Sequence, residues 1–192
     1  MTITTAKRFT ITEYNHLTEL GFFCEDDRVE LIRGELIYMI AKGTVHSTFN
    51  RRLIRELSNL LSKRATLQSQ DPVVISTDSE PEPDIAILKN RDDDYLSSHP
   101  CAEDILLLIE IADSSLKYDQ EVKLPLYAEA GILDYWIFNL NDNCLEHYRE
   151  PLQNSQGKFS YRKKIVFLPS ETINLPCFPD LILDLSKVFP KK

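Results

Sequence analysis

The apolar run ILLLIEIAD, residues 105–113, constrains the fold more than any other part of this sequence. Read as a β-strand, it is apolar on both faces, which is typical of a central strand covered on both sides. Glu110 interrupts this run. Because a carboxylate buried alone is costly in free energy, Glu110 needs a charged partner or a bound cation. The run therefore predicts a central strand that carries a buried polar site.

Length and composition limit the class of protein. With 192 residues, 43% hydrophobic and 27% charged, we expect one globular domain over residues 1–192. The apolar runs are too short to span a bilayer, and the first residues do not resemble a secretory signal, so we predict a cytoplasmic protein that does not bind membranes. The four cysteines form no CxxC pair, and the five glycines form no dinucleotide or phosphate loop. These absences argue against a zinc site, NAD-dependent chemistry and P-loop chemistry.

The remaining segments predict an α/β fold with a central mixed β-sheet flanked by helices and additional β-hairpins. The spacing of apolar residues between Val45 and Arg64 predicts a helix whose inner face includes His46. Other predicted elements are a capped helix over 10–20, a hairpin about Arg33-Gly34, strands at PVVIS and DIAILK, a helix over 115–130, a hairpin about Asn141-Asp142, a strand at FSYRKKIVF and a last short helix at DLILDLSKVF.

A second acid lies at the entrance of the predicted neighbouring strand. Asp84 directly follows Pro81-Glu82-Pro83 and begins the DIAILK run. If the two strands are neighbours, Asp84 and Glu110 meet, and two adjacent carboxylates resist joint ionisation. A divalent cation between them removes this conflict, and Mg²⁺ or Mn²⁺ prefers such oxygen ligands. The pair thus predicts a metal site.

A lysine on the following helix can return to these acids. Lys123 lies 13 residues after Glu110, with Asp119 and Tyr127 on the same helix face. Two acids, a cation and a lysine are the components needed for phosphodiester hydrolysis. A buried Asp–Lys–Glu ion network without turnover explains the same spacing equally well.

Six features follow one another along the chain: VELIRGEL, His46, PEPD, LLLIEIAD, EVKLPLYAEAG and DYWIFN. In this order they resemble the Uma-two family of putative restriction endonucleases, which belongs to the PD-(D/E)XK nuclease superfamily. The similarity extends over about residues 12–189, the expected core. The resemblance implies a restriction-endonuclease-like core in which Asp84 and Glu110 bind the metal and Glu30 can reach the same cluster.

The sequence departs from the wider superfamily at the lysine of its ExK triplet, because residue 112 is alanine. Lys123 matches the family's helix lysine and is our first choice for the catalytic lysine, with Lys117 as the alternative. His46 also matches a family position, for which we expect a supporting role.

We therefore expect an endonuclease in which Asp84, Glu110, the backbone carbonyl of Ile111 and Glu30 bind Mg²⁺ or Mn²⁺ for attack of activated water on DNA. A homodimer is also expected, because cutting both strands with one site per chain favours two-fold symmetry. Two other classes stay open: a non-catalytic nucleic-acid or protein interaction module, and a metal-dependent hydrolase of another phosphate ester. The net charge of −8 slightly favours the interaction module, because capture of a duplex normally needs basic residues.

Overall fold

A six-stranded mixed sheet forms the centre of the molecule. The computed structural model describes residues 5–24 and 27–190. The strand order is β3-β4-β5-β6-β7-β8, in which β5 and β6 are parallel and the other neighbours antiparallel. These strands are β3 (Thr66–Gln68), β4 (Ile85–Leu88), β5 (Ile105–Ala112), β6 (Asp134–Asn139), β7 (Cys144–Gln153) and β8 (Phe159–Phe167). The predicted mixed α/β sheet is confirmed.

Two antiparallel hairpins add to this sheet. They are β1 (Val29–Ile32) with β2 (Glu35–Tyr38), and β9 (Thr172–Leu175) with β10 (Phe178–Asp184). The helices are α1 (Ile11–Glu19), α2 (Thr44–Leu61), α3 (Leu116–Tyr118) and α4 (Leu124–Glu129), with 3₁₀ turns at Ala102–Asp104 and Leu185–Lys187. No helix in the described part of the chain combines the length and apolar character required to cross a membrane.

The helices cover opposite faces of the sheet. Phe49, Leu53 and Leu57 of α2 pack in one core cluster with Ile109 and Ile111 of β5. The cluster on the opposite face includes Leu124 and Tyr127 of α4, together with Leu108 and Ala112 of β5. Because side chains alternate along a strand, Glu110 shares the second face with Leu108 and Ala112. The strand therefore directs Glu110 toward the helical segment that follows β5.

The register of β4 and β5 brings the two predicted acids together. Ile85 pairs with Ile109 in this antiparallel ladder. Extending the register by one residue places Asp84, at the entrance of β4, opposite Glu110. The expectation that the two strands are neighbours is confirmed.

A π-helical turn interrupts the helical segment between β5 and β6. It covers Asp119–Lys123 and joins α3 to α4, whose first turn contains Pro125. Proline lacks the N–H that would continue the regular hydrogen-bond ladder, so it is tolerated in a first turn. The widened turn carries both Asp119 and Lys123, which are buried.

Two sequence-based predictions are wrong. PVVIS forms isolated bridges instead of a strand, while the edge strand β3 was not predicted. The predicted last helix is mostly β10, and only a 3₁₀ turn follows it. The strand β1 has no exposed face, because all four of its residues are buried. Its two faces are covered by neighbouring segments, and Glu30 is buried with the apolar residues.

Candidate active site

A pocket of about 260 Å³ opens at the end of β5 where Asp84 and Glu110 meet. Segments 37–43 and 113–115, together with α2 and the π turn, supply its walls. Its acidic and basic lining residues are Glu30, Glu82, Asp84, Glu110, Asp113 and Asp119, with Lys42, His46 and Lys123. The acids outnumber the lysines, so the pocket carries an excess of negative charge.

Asp84 is held by donors from three parts of the chain. Its Oδ1 accepts from Lys42 Nζ at 2.7 Å, and its Oδ2 accepts from the backbone N–H of Ile111 at 2.8 Å. His46 Nε2 lies 2.9 Å from the same Oδ2, while its Nδ1 has no hydrogen-bond partner among the described residues. Burial alone would raise the pKa of Asp84, but His46 and Lys42 lower it to about 2. Asp84 is therefore ionised at neutral pH.

Glu110 makes a second set of contacts on the other side of the pocket. Its Oε1 accepts from Lys123 Nζ at 2.9 Å and from the Tyr127 hydroxyl at 3.1 Å. Its Oε2 accepts from the backbone N–H of Asp84 at 3.3 Å, which links the two acids directly. Complete burial raises the pKa of Glu110 to about 8, although the Lys123 ammonium opposes this shift.

Lys123 joins Glu110 to Glu30. Its Nζ lies 3.5 Å from Glu30 Oε2, and its side chain is only 4% exposed. Burial alone would lower the pKa of Lys123, but Glu110 and Glu30 together hold it well above the usual value. Glu30 also accepts from the Tyr118 hydroxyl at 2.9 Å and from the backbone N–H of Glu82 at 3.0 Å. Lys123 is therefore a charged and immobilised group.

Asp119 lies on the same helical turn as Lys123. Its Oδ2 accepts from the Ser115 hydroxyl at 2.6 Å. Burial raises the pKa of Asp119 to about 6, against the opposing charge of Lys123. Asp119, Lys123 and Tyr127 are all buried, but the Asp119 carboxylate bonds to Ser115, whereas Lys123 and Tyr127 both contact Glu110.

The structure brings most of the predicted site residues to this pocket. Asp84, Glu110, Lys123, Glu30, His46 and Ile111 all line it. The alternative lysine, Lys117, is 83% exposed in its side chain and lies near Glu121 at 3.9 Å. Gln68 of β3 is not among the residues that line this pocket, and it donates to the backbone carbonyls of Asp71 and Pro72.

Two contacts of the site were not predicted from the sequence. Lys42 lies in an irregular segment before α2, where no periodic pattern assigns a direction to its side chain. Tyr118 reaches Glu30 across 88 residues of sequence, a relation that only the fold creates. Tyr127, which was predicted to share the helix face of Lys123, contacts Glu110 through its hydroxyl. Its position four residues after Lys123 was the available signal.

The donor chemistry of the pocket fits a divalent cation. Carboxylate oxygens of Asp84 and Glu110 lie at one opening, and burial of excess negative charge has a high free-energy cost that a cation reduces. In an extended strand the N–H and C=O of one residue point to the same side, so the carbonyl of Ile111 shares the side of Asp84. In the part of the chain that the structure describes, however, no three His, Cys, Asp or Glu side chains converge as a preformed metal centre.

Comparison with known proteins identifies the family. A family model described as "Uma2: Putative restriction endonuclease" matches residues 11–186. A crystal structure of a putative nuclease belonging to DUF820, from Anabaena variabilis, is similar with a TM-score of 0.72 and 16% identity. That match covers 94% of this chain and 97% of the other.

A second solved structure, the type IIG restriction endonuclease BpuSI, shows a weaker similarity. Its TM-score is 0.37 with 14% identity, and the match covers 63% of this chain and 13% of that chain. No curated protein sequence matches significantly. The Anabaena structure shows the same overall fold, and the family model covers most of the chain. The chain therefore belongs to the Uma2 family.

Proposed function

We propose that this protein is a divalent-metal-dependent endonuclease that hydrolyses DNA phosphodiester bonds. The observation that carries the proposal is the register of Asp84 with Glu110 at one pocket, beside a lysine that is buried against Glu110. Membership of a family described as "Putative restriction endonuclease" supports the same activity. Asp84 and Glu110 are the proposed metal ligands, with Glu30 and the Ile111 carbonyl as further candidates.

A bound Mg²⁺ or Mn²⁺ would lower the pKa of a coordinated water and offset negative charge at phosphorus. The protein residues act around this chemistry. His46 and the Ile111 N–H orient Asp84, while Tyr127 orients Glu110. Lys123, held by two carboxylates, provides fixed positive charge for the nucleophile and the developing phosphate charge.

One observation favours a second candidate function, a nucleic-acid or protein interaction module without turnover. Both acids have lysine partners in the structure, Lys42 at Asp84 and Lys123 at Glu110. Such pairs form a charge network that needs no metal. The two functions differ in whether a divalent cation binds and whether DNA is cut.

A nicking assay distinguishes them. Supercoiled and single-stranded DNA are incubated at low salt with Mg²⁺ or Mn²⁺, and cation binding is measured by calorimetry. We expect wild-type nicking to fall at least about 100-fold in Asp84→Asn, as loss of a group central to the chemistry typically produces. Exposed Asp92→Asn is the matched control and should cut normally.

Nicking that persists in Asp84→Asn would overturn the assignment of this pocket. Absence of both nicking and cation binding in the wild type would support the interaction module instead. Cleavage of small phosphate esters without DNA cleavage would support a different phosphate hydrolase. A homodimeric state and a cytoplasmic location are further parts of the proposal, and the first is checked by analytical ultracentrifugation.

A further inference from the structure

Lys42 places a cation directly on one oxygen of Asp84. Its Nζ lies 2.7 Å from Oδ1, and the side chains are 17% and 7% exposed. The other oxygen, Oδ2, already faces the Ile111 N–H and His46. Among the described residues, Oδ1 contacts the Lys42 ammonium. Oδ1 is thus the Asp84 oxygen that remains for an incoming cation.

A metal ion and the ammonium cannot both occupy this position at low energy. Two like charges a few ångströms apart repel strongly where water is largely excluded. A divalent cation that binds Asp84 through Oδ1 therefore repels the Lys42 ammonium and favours its displacement. Lys123 is harder to displace than Lys42, since Glu110 and Glu30 both hold it in place.

The backbone around Lys42 permits this displacement. Residues 39–43 connect β2 to α2 without regular secondary structure and line the pocket. Within this segment Ile40 is 73% exposed, and none of residues 39–43 is buried, so their side chains are not anchored in the core. A lysine has a flexible four-carbon stem, so its ammonium can move while the backbone stays in place.

A released ammonium would lie at the wall of a pocket with an excess of acids. Such a pocket repels a phosphate group unless positive charge is available where the phosphate enters. Lys123 is sealed against Glu110, with 4% of its side chain exposed, whereas Lys42 is more accessible. Lys42 therefore has the position and freedom for this contact.

We propose that Lys42 competes with the divalent cation for Asp84 and, once displaced, binds a phosphate oxygen of the substrate. This inference rests on the proposed function, because it assumes a cation at Asp84. It adds a substrate-binding group that is hidden while Asp84 has no metal. Each half of the inference has its own measurement.

The competition is tested by titrating Mn²⁺ into wild type and Lys42→Gln by calorimetry. Removing the competing ammonium should tighten Mn²⁺ binding about ten-fold, within the usual range of coupling between two ligands. Lys42→Arg retains the charge and should bind Mn²⁺ much as the wild type does. Lys63→Gln changes an exposed lysine at the end of α2 and should have no effect.

The outcomes separate this inference from the proposed function. Equal Mn²⁺ affinity in wild type and Lys42→Gln would overturn the competition while leaving the metal site intact. Absence of Mn²⁺ binding in every variant would overturn the proposed function as well. Unchanged far-ultraviolet circular dichroism and a cooperative thermal unfolding transition of Lys42→Gln verify that the fold is retained.

The phosphate contact is tested without metal, through oligonucleotide binding measured by fluorescence anisotropy in EDTA. Asp84→Asn releases Lys42 by removing its carboxylate partner. Adding Lys42→Gln should therefore weaken binding at least about five-fold in the Asp84→Asn background, and much less in the wild-type background. Equal losses in both backgrounds, or no loss in either, would overturn the phosphate role.

Discussion

At the scale of single residues, the site depends on how buried charges are paired. Asp84 and Glu110 lie in register, yet their environments shift their pKa values in opposite directions. His46 and Lys42 favour the ionised form of Asp84, whereas burial favours the neutral form of Glu110. Neighbouring carboxylates with separated pKa values are typical of functional sites, although structural ion networks produce the same pattern.

Replacing Lys123 tests the pairing directly. Lys123→Met leaves Glu110 and Glu30 buried without their shared ammonium, so we expect a loss of about 3–5 kcal/mol in unfolding free energy. Lys117→Met removes an exposed lysine and should change stability by less than about 0.5 kcal/mol. Urea unfolding at pH 8 measures both. Equal stability of the two variants would contradict the buried pairing.

The raised pKa of Glu110 predicts a characteristic pH dependence in EDTA. Between the usual pKa of 4.5 and about 8, the unfolded chain releases the Glu110 proton while the folded protein retains it. Folding stability should therefore decrease as pH rises through this window, with Asp119 adding a contribution of the same sign. Glu110→Gln should show a smaller decrease in thermal unfolding temperature between pH 5 and 8, approximate limits of this window.

Exposed Glu121→Gln is the control for that experiment and should follow the wild type. A pH profile of Glu110→Gln identical to that of the wild type would show that Glu110 is not protonated in the folded protein. Measurement at several Mn²⁺ concentrations extends the test, because a bound cation favours the ionised carboxylate and should flatten the wild-type profile.

At the scale of elements, the hairpin of β1 and β2 positions Glu30. Its turn contains Gly34, which has a φ of +76°. A Cβ at this position would lie 2.7 Å from Arg8 Cβ and 3.0 Å from the backbone of Phe9. Glycine is therefore required by both the turn conformation and the close approach of the preceding chain.

Gly34→Ala should destabilise the protein more than Gly131→Ala does. Both positions have the same φ, but the added Cβ of Gly131→Ala meets nothing within 4 Å. Gly131→Ala is the control, and it should lower the unfolding free energy by about 1–2 kcal/mol because of the left-handed conformation alone. Gly34→Ala should exceed this cost and increase amide hydrogen exchange in β1. Equal costs by urea unfolding would mean that the Arg8–Phe9 segment can move away.

Along the segment after β5, helix and strand geometry together create the site. Strand alternation directs Glu110 to one face, and the π turn places Lys123 on that same face. The helix and its lysine were predictable from spacing, whereas the π turn was not. A π turn depends on how the segment fits against the sheet, which local sequence does not specify.

At the scale of the whole molecule, the net charge of −8 limits how DNA can bind. Few positively charged side chains line the pocket. DNA that binds there should therefore release few counterions. We expect the slope of log affinity against log salt to be shallower than about −4, corresponding to about four or fewer phosphate contacts on a duplex. Fluorescence anisotropy between about 25 and 200 mM NaCl measures the slope, and one steeper than about −6 would indicate a basic surface elsewhere.

The sequence by itself determined the central strand, its buried acid, the α2 helix, the β1–β2 and β6–β7 hairpins and the face shared by Asp119, Lys123 and Tyr127. These features follow from local periodicity and from the free-energy cost of burying charge. It did not determine β3 or the strand at the carboxyl end, since short segments take their structure from the partners they meet.

Only the tertiary structure decided which hydrogen-bond donor pairs with which buried acid. Lys42 and Asp84 are separated by 42 residues, and Tyr118 and Glu30 by 88. Such pairings depend on strand order and on the path of irregular segments, which no local pattern specifies. Sequence periodicity thus identified the costly carboxylate, while long-range packing assigned the groups that stabilise it.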